Sequence, residues 1–159
     1  MRPWTLRPAT QDDDAFLRAL YADTRAEEIR LSGWPADQCD AFLASQFDLQ
    51  ARHYQTHFGP LGHSIVELRR QPVGRLWLHD DPERRLIVDI ALATEARGQG
   101  LGSSLIRKTQ AQSRRLGLPC LRLHVLNSNT GAARLYQRLG FAMVGVEGAH
   151  FRMEWRPPG

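Results

Sequence analysis

Three glycines occupy alternate positions at Gly98, Gly100 and Gly102, between an apolar run at 85–93 and a helical pattern that continues to about Leu116. Glycine lets the backbone approach a ligand closely and adopt left-handed torsion angles. The amides of a first helical turn have no partner within the helix, and the helix dipole favours an anion beside them. This segment therefore predicts a cradle for a phosphate or pyrophosphate, with an ordinary strand-to-helix turn as the alternative.

The residues that follow these glycines exclude two familiar phosphate-binding motifs. A P-loop requires Lys followed by Ser or Thr after its last glycine, whereas Gly102 is followed by Ser103 and Ser104. A dinucleotide fingerprint requires G-x-G-x-x-G and an acidic residue about 20 positions later. Here the spacing is G-x-G-x-G, and the next predicted strand, 120–126, contains no acid.

A second group of small and aromatic residues follows that strand. Asn129 has the residue type of a helix N-cap, and the pattern predicts a short helix over 129–139. Ala132, Leu135 and Tyr136 are spaced i, i+3, i+4 and therefore share one face of this helix. An isolated tyrosine on such a face is most often a packing residue with its hydroxyl at the rim of the core.

Two titratable side chains interrupt apolar strand patterns. Asp89 is the one carboxylate in the run 85–93, where we expect burial to raise its pKa. His124 alternates with Leu123 and Val125, and an imidazole needs little adjustment to accept protons near pH 7. Both are candidate bases. The alternatives are an Asp89 that pairs structurally with an arginine and a core-facing His124 bonded to the backbone.

Positive charge is concentrated in the second half of the chain. The net charge is +4, and residues 96–146 contain eight cations and no acid. Such a block indicates an anionic partner, although a solvated basic face is the alternative. Nucleic acid fits the charge alone, but we expect no interleaved surface aromatic residues in the block, so a small phosphorylated ligand fits at least as well. The eight cations are Arg97, Arg107, Lys108, Arg114, Arg115, Arg122, Arg134 and Arg138.

Length and composition are those of one ordinary globular domain, predicted over 1–159. The chain is 42% hydrophobic and 24% charged, and its two cysteines cannot form a disulfide framework. Cysteine and histidine spacing predicts no metal site. No stretch approaches the ~20 apolar residues of a membrane helix, and the N-terminus lacks the apolar core of a secretory signal. We therefore predict a cytoplasmic protein with no membrane association.

The predicted elements alternate between the two kinds of periodicity, which indicates a mixed α/β fold. Turn chemistry at 59–62, 70–72 and 80–83 delimits three short strands, which we expect to form an antiparallel meander. In chain order the predictions are a strand at 3–8, a helix capped by Asp12 or its neighbours and running to about Arg30, a break at 32–35, a helix at 36–57, strands at 63–69, 73–79 and 85–93, a helix to about Leu116, a strand at 120–126, a helix at 129–139, and strands at 141–146 and 150–156.

The two motif segments together resemble the GNAT superfamily of acetyl-CoA-dependent N-acetyltransferases. The segment 97–102 matches its cofactor signature, Arg/Gln-x-x-Gly-x-Gly/Ala after a central strand. Its later signature, Asn-x-x-Ala-x-x-Leu-Tyr-x-x-x-Gly-Phe, is matched by Asn129, Ala132, Leu135, Tyr136, Gly140 and Phe141. The similarity is tight over 85–142, where Thr94 replaces the usual proline. The motifs resemble a bacterial branch of the family and indicate no particular substrate.

This resemblance implies a mixed, mostly antiparallel sheet of about seven strands flanked by about four helices. The central strands at 85–93 and 120–126 would splay apart and admit acetyl-CoA. The end of the first would pair with the pantetheine arm, and one of its amides would polarise the thioester carbonyl. The implied cofactor-binding residues are Ile90, Ala91, Leu92, Arg97, Gly98, Gln99, Gly100, Leu101, Gly102, Ser103, Asn129, Ala132 and Tyr136.

The implied reaction is direct transfer of an acetyl group to an amine. Tyr136 matches the family's tyrosine acid, which is neutral at pH 7 and supplies a proton to the leaving thiolate. The base that deprotonates the amine stays open among Asp89, His124, Glu67, Glu28 and water. Transfer of another acyl group, such as succinyl, stays open as well.

The acceptor is a small-molecule amine or a protein amine. Acids on the first two predicted helices would attract a cationic amine, or would simply form a solvated face. Two other functions remain alternatives, namely a catalytically silent coenzyme A-binding module and a nucleic-acid-binding α/β domain. We predict no nucleic-acid partner and, by analogy with small proteins of this type, a possible homodimer. The acids are Asp23, Glu27, Glu28, Asp37, Asp40 and Asp48.

Overall fold

Seven strands form one sheet in the part of the chain that the computed structural model describes, residues 4–158. The order across the sheet is β1-β2-β3-β4-β5-β7-β6. The sheet is mostly antiparallel, which confirms the predicted fold class. Residue 3, included in the first predicted strand, lies outside the described residues. The strands are β1 (Trp4–Pro8), β2 (His63–Leu68), β3 (Gln71–Asp80), β4 (Arg85–Leu92), β5 (Leu121–Leu126), β6 (Ala142–Glu147) and β7 (His150–Trp155).

The described residues contain five α-helices rather than about four. The predicted first helix is divided at Arg25, which leaves the helical conformation with φ −114° and ψ 7°. None of the five has the length and apolar character needed to cross a bilayer. The helices are α1 (Asp14–Thr24), α2 (Ala26–Ser32), α3 (Ala36–Phe58), α4 (Leu101–Arg115) and α5 (Thr130–Arg138), with 3₁₀ turns at Gln11–Asp13 and Thr94–Ala96.

The cap at the start of the first helical segment is Thr10, two residues before the predicted Asp12. The Thr10 hydroxyl accepts the Asp12 amide at 3.3 Å, and the Asp13 carboxylate accepts the Thr10 amide at 2.8 Å. This reciprocal capping box starts the 3₁₀ turn that leads into α1.

The chain divides into two compact units, and the predicted single domain over 1–159 stays a prediction. Unit 1 comprises the residues up to Leu76 together with Ile90–Arg97, and unit 2 comprises Trp77–Asp89 and the residues from Gly98 onward. In unit 1, buried side chains of α1, α3 and β2 form a core cluster that includes Leu17, Tyr21, Phe47 and Ile65.

The core of unit 2 is built from α4 and the β5–β7 strand pair. Leu105 and Ile106 of α4 are completely buried, as is Leu121 of β5. Leu123 of β5 and Met153 of β7, which are register partners, are also buried. The apolar stripe of α4 therefore packs as its helical periodicity predicts.

The hairpin between β2 and β3 turns earlier than predicted. Arg69 and Arg70 have φ values of 52° and 67°, whereas Gln71 and Pro72 already belong to β3. A two-residue hairpin loop needs positive φ at both central positions so that its twist matches that of the strands. The prediction of a turn at 70–72 was wrong because it weighted the proline over this geometric requirement.

Strands β4 and β5 pair in parallel only at their beginnings within unit 2. The register joins Arg85 to Leu121 and Leu86 to Arg122, and the Arg85 amide donates to the Cys120 carbonyl at 2.8 Å. Within unit 2, β4 continues to Asp89 and β5 to Leu126 with no further register pair between them. The other edge of β5 is paired with β7 along its whole length. The short pairing within unit 2 agrees with splayed central strands, and the splay of their ends stays a prediction.

Candidate functional site

The glycine segment forms an open loop that leads into α4. Gly98 and Gly100 have φ values of 75° and 78°, and a Cβ atom added at either would have no neighbour within 4 Å. Gly100 is the N-cap of α4, without a capping side chain. Helical hydrogen bonding begins with the Ser104 amide, which donates to the Gly100 carbonyl at 3.0 Å. The preceding amides, 101–103, have no acceptor within the helix.

This helix start has the electrostatics of an anion site. The first turn of α4 contains no acidic residue, and the basic residues Arg114 and Arg115 stand in its last turn. Its 15 residues align enough peptide dipoles to favour negative charge at the N-terminus. The geometry agrees with the predicted pyrophosphate cradle at 98–103, and its occupation by a ligand stays a prediction.

In unit 1, the Arg97 side chain contacts the end of β4. Its Nε donates to the Leu92 carbonyl at 2.9 Å, and its Nη2 lies 3.6 Å from the Asp23 carboxylate. Asp23 also accepts the amide and the hydroxyl of Thr94, both at 2.7 Å. These hydrogen bonds from Thr94 lower the pKa of Asp23. A proline at position 94 would lack the amide donor, so Asp23 accounts for this departure from the family motif.

Gly74 allows β3 to approach the predicted pantetheine-binding strand end closely. A Cβ atom at Gly74 would lie 2.4 Å from the Ala91 carbonyl oxygen and 2.8 Å from the Leu92 side chain. The adjacent Ala93 amide donates to the Val73 carbonyl at 2.8 Å. Gly74 belongs to no predicted motif, although an isolated glycine within an apolar strand indicates a close backbone approach. The role of Ile90, Ala91 and Leu92 in binding stays a prediction.

Asn129 is confirmed as the N-cap of α5, the helix that carries Tyr136. The Asn129 Oδ1 accepts the Ala132 amide at 3.2 Å. At the other end of the helix, the Tyr136 carbonyl accepts the amides of Leu139 and Phe141. The Tyr136 ring lies 5.9 Å from the ring of the buried Phe141. Both ends of α5 are thus fixed, and Tyr136 is held against the core of unit 2.

The Tyr136 phenol keeps its proton under all physiological conditions. Burial, reinforced by the negative charge of Asp89, raises the pKa of Tyr136 from 10.0 to about 12. No group among residues 4–158 hydrogen-bonds its hydroxyl. The carboxylate of Asp89, another predicted catalytic residue, therefore favours the neutral, donating form of the phenol.

His124 lies on the face of β5 opposite the buried Leu123 and Val125, so the core-facing alternative was wrong. Its Nε2 is 3.2 Å from Oε2 of Glu147, whose other oxygen accepts Nη1 of Arg152 at 2.6 Å. Burial lowers the pKa of His124 despite the opposing effect of Glu147. Sequence reasoning missed Glu147 and Arg152, because only the strand register brings them to β5.

Ion pairs occupy part of the predicted acidic surface. Asp48 binds Arg18 at 2.6 Å, and Glu27 lies 3.8 Å from Arg30. Asp23 is engaged as described above. A wall of six uncompensated acids is therefore not present in unit 1, which weakens the idea of a general attraction for polycations.

Glu67, another candidate base, is also engaged in an ion pair. It accepts Nε of Arg7 at 2.8 Å. Residues 4–158 contain no cluster of three or more metal-ligating side chains, and the lack of a metal site stays a prediction.

Comparison with known sequences gives consistent matches. A family model described as "Acetyltransferase (GNAT) family" matches residues 17–141. The uncharacterized N-acetyltransferase YdgE of Bacillus subtilis is 35% identical over 152 residues, covering 90% of this chain and 94% of that protein. A mycothiol acetyltransferase of Thermomonospora curvata is 35% identical over 102 residues, covering 63% of this chain and 34% of that protein. The chain thus matches only about a third of that longer relative.

Comparison with solved structures supports the same fold. The PaiA N-acetyltransferase from Thermoplasma acidophilum, in complex with coenzyme A, has a TM-score of 0.72 and 15% sequence identity. The alignment covers 99% of this chain and 100% of that one. Together with the sequence matches, it confirms the resemblance that the two motifs predict.

Proposed function

Because the chain belongs to the acetyltransferase (GNAT) family, we propose that it transfers an acetyl group from acetyl-CoA directly to a primary amine. Family membership establishes the N-acetyltransferase class, and the acyl donor and the acceptor are the parts proposed here. The observation that carries the proposal is the start of α4, where left-handed Gly98 and Gly100 precede amides 101–103, which have no helical acceptor.

The residues of this loop fit a pyrophosphate. The space beside Gly98 and Gly100 is open, and the helix start offers several N–H donors together with the positive end of a dipole. Residues 98–103 would hold the diphosphate, and Ile90, Ala91 and Leu92 would pair with the pantetheine arm. When bound, acetyl-CoA supplies an activated thioester, and an amide of the β4 end would stabilise negative charge on its carbonyl oxygen.

Tyr136 is the proposed proton donor for the leaving sulfur. Its pKa of about 12 exceeds the value of about 8.5 for an ordinary thiol. Tyr136 therefore hydrogen-bonds the sulfur while it remains protonated, and it releases its proton only as another proton replaces it. Asp89 assists by opposing ionisation of the phenol. This division of labour makes Asp89 an electrostatic partner of Tyr136 and leaves His124 as the better candidate for the base.

The acceptor is proposed only as an amine, on a small molecule or on a protein. One relative is named a mycothiol acetyltransferase, so a small-molecule amine is the first class to assay. Cytoplasmic location, the homodimer, and the absence of nucleic-acid and membrane partners stay predictions from the sequence.

Calorimetric titration with acetyl-CoA tests the proposed cradle through Gly100→Asp. An aspartate at this N-cap would accept the amides that the diphosphate requires and would repel its charge. We expect an affinity loss of about a hundredfold, which corresponds to roughly two charge-assisted hydrogen bonds.

Gly33→Asp is the matched control for this test. Gly33 ends α2 with a φ of 71°, and a Cβ atom there also meets nothing within 4 Å. The control introduces the same strain and charge at another helix terminus. Equal affinities of wild type, Gly100→Asp and Gly33→Asp would refute the cradle.

A further inference from the structure

A row of residues across three strands of unit 2 forms an organised polar face. His124 of β5 is the register partner of Arg152 of β7, which in turn faces Gly145 of β6. Directly opposed residues of neighbouring strands lie on the same face of a sheet. His124, Arg152 and Gly145 therefore share the face opposite Leu123 and Val125.

Gly145 provides the space that the Arg152 guanidinium occupies. A Cβ atom at Gly145 would lie 2.9 Å from Nη2 and 3.2 Å from the central carbon of that guanidinium. The register of β6 against β7 shifts between Met143 and Gly145, two residues before Glu147. The missing side chain and the bulge together allow Arg152 to reach Glu147, with Nη1 donating to Oε1 at 2.6 Å.

Glu147 divides its two oxygens between two partners. Oε1 accepts Arg152, and Oε2 lies 3.2 Å from Nε2 of His124. The hydrogen bond from Arg152 lowers the pKa of Glu147, so the carboxylate is ionised at neutral pH and can only accept. The negative charge 3.2 Å away favours the proton of a neutral His124 on Nε2. Nδ1 keeps its lone pair, and it has no hydrogen-bond partner among residues 4–158.

The surrounding charges favour the neutral imidazole. Besides burial, the positive charges of Arg122 on β5 and of His150 and Arg152 on β7 lower the pKa of His124. Glu147 on β6 is the group that raises it. His124 is thus deprotonated at pH 7 with a defined tautomer, the state that a proton acceptor needs.

We propose that Glu147, held by Arg152 over Gly145, is a positioning residue that fixes His124 with Nδ1 as the general base of the acetyl transfer. This inference rests on the proposed function. His124 Nδ1 takes one proton from the acceptor ammonium and returns it to solvent. The freed lone pair forms the N–C bond as the C–S bond breaks, and the second amine proton replaces the proton that Tyr136 gives to the sulfur.

The direct test is a histidine nitrogen NMR titration of the full chain, which needs no acceptor. In wild type we expect the His124 resonances of an Nε2–H tautomer. Glu147→Gln removes the negative charge that raises the His124 pKa, so this pKa should fall and the tautomer preference should weaken. Glu83→Gln is the matched control, because Glu83 is an exposed partner of Arg84 at 3.1 Å in the same unit. An unchanged pKa and tautomer in Glu147→Gln would overturn the positioning role.

Kinetics with an accepted amine complete the test. We expect Glu147→Gln to lower kcat about tenfold, with the acidic limb of the pH profile shifted toward lower pH and the acetyl-CoA KM unchanged. Glu83→Gln should match wild type in both. If Glu147→Gln raises only the acceptor KM and does not shift the pH profile, Glu147 does not act through His124. Failure of wild type to bind acetyl-CoA would instead overturn the proposed function itself, while the NMR result would still report on the geometry.

Discussion

Two carboxylates, one in each unit, bind arginine at similar distances and yet have different consequences. In unit 1, buried Asp13 gives both oxygens to Arg7 at 2.8 and 2.9 Å, and it also accepts the Thr10 amide at 2.8 Å. In unit 2, Glu147 gives only one oxygen to Arg152 and the other to His124. In unit 1, both oxygens of Asp13 are occupied by Arg7 and the Thr10 amide. In unit 2, the Glu147 carboxylate also lies beside a neutral imidazole, which its charge orients.

Asp89 extends this contrast within unit 2. Its negative charge acts on the Tyr136 phenol, as Glu147 acts on the His124 imidazole. In both cases a carboxylate stands beside a neutral side chain that can carry a proton, rather than beside a permanent cation alone. The Asp13 pair of unit 1 therefore contributes chiefly to stability, whereas Asp89 and Glu147 of unit 2 influence the protonation of their neighbours.

Removing the Tyr136 hydroxyl should give the largest difference in turnover between a variant of unit 2 and a matched variant of unit 1. Tyr136→Phe removes the proposed proton donor and keeps the ring against Phe141, so folding should be preserved. We expect kcat to fall about a hundredfold, since a positioned acid contributes on the order of 10²-fold or more. Thiol release from acetyl-CoA with an accepted amine measures this, and calorimetry should show a much smaller loss of cofactor affinity, since only the hydrogen bond to the sulfur is removed.

Tyr21→Phe is the matched control in unit 1. Tyr21 is buried at the edge of Phe47, with ring centroids 5.6 Å apart, and Arg25 stacks on its ring at 3.6 Å. These contacts use the ring and not the hydroxyl, so turnover should be unaffected. If both variants, or neither, lose turnover, the chemical role of Tyr136 is refuted.

The contrast also explains how much of the site the sequence could predict. The glycine loop, the Asn129 cap and Tyr136 each depend on residues within one turn or one helix, where local chemistry decides the conformation. The mixed α/β class and the order of elements along the chain followed from periodicity and short connections in the same way, whereas the seven-stranded sheet was implied by the family resemblance.

The residues that sequence reasoning missed depend on pairing between distant segments. Glu147 reaches His124 only through the β5–β7–β6 register and a bulge, and a shift by one residue would put it on the other face. Asp23 meets Thr94 across a separation of 71 residues. No local pattern specifies either contact, so the structure was needed to find them.

Replacing the Asp13 carboxylate in unit 1 should lower the free energy of unfolding and leave turnover unchanged. Asp13→Asn keeps the shape of the side chain but loses the bidentate, charge-assisted pairing with Arg7. We expect the free energy of unfolding in urea to fall by about 2 kcal/mol, because the asparagine oxygen keeps one of the two bonds from Arg7 and a hydrogen bond to a charged group contributes about 1.5–3 kcal/mol. The kcat of the folded variant should equal that of wild type.

Asp14→Asn provides the matched comparison at the next position. Asp14 accepts Arg18 at 2.8 Å, but its side chain is 59% exposed. An exposed ion pair of this kind contributes little, so its loss should hardly change the urea midpoint. Equal destabilisation by Asp13→Asn and Asp14→Asn would show that burial and bidentate geometry do not distinguish the Asp13 pair.

Acid titration should show the smallest of these effects, a loss of stability as the Asp13 carboxylate takes up a proton. The hydrogen bond from Arg7 lowers the pKa of Asp13 from 3.8 to about 2, against the opposing effect of burial. Between these values the unfolded chain binds more protons than the folded one, so stability is lost as the pH falls from about 4 to about 2. The shift corresponds to about 2.5 kcal/mol, which solvent around the 37%-exposed Arg7 reduces to about 1.5 kcal/mol. Urea unfolding at each pH should show wild type and Asp13→Asn converging over this window, and a constant difference would contradict the assigned pKa.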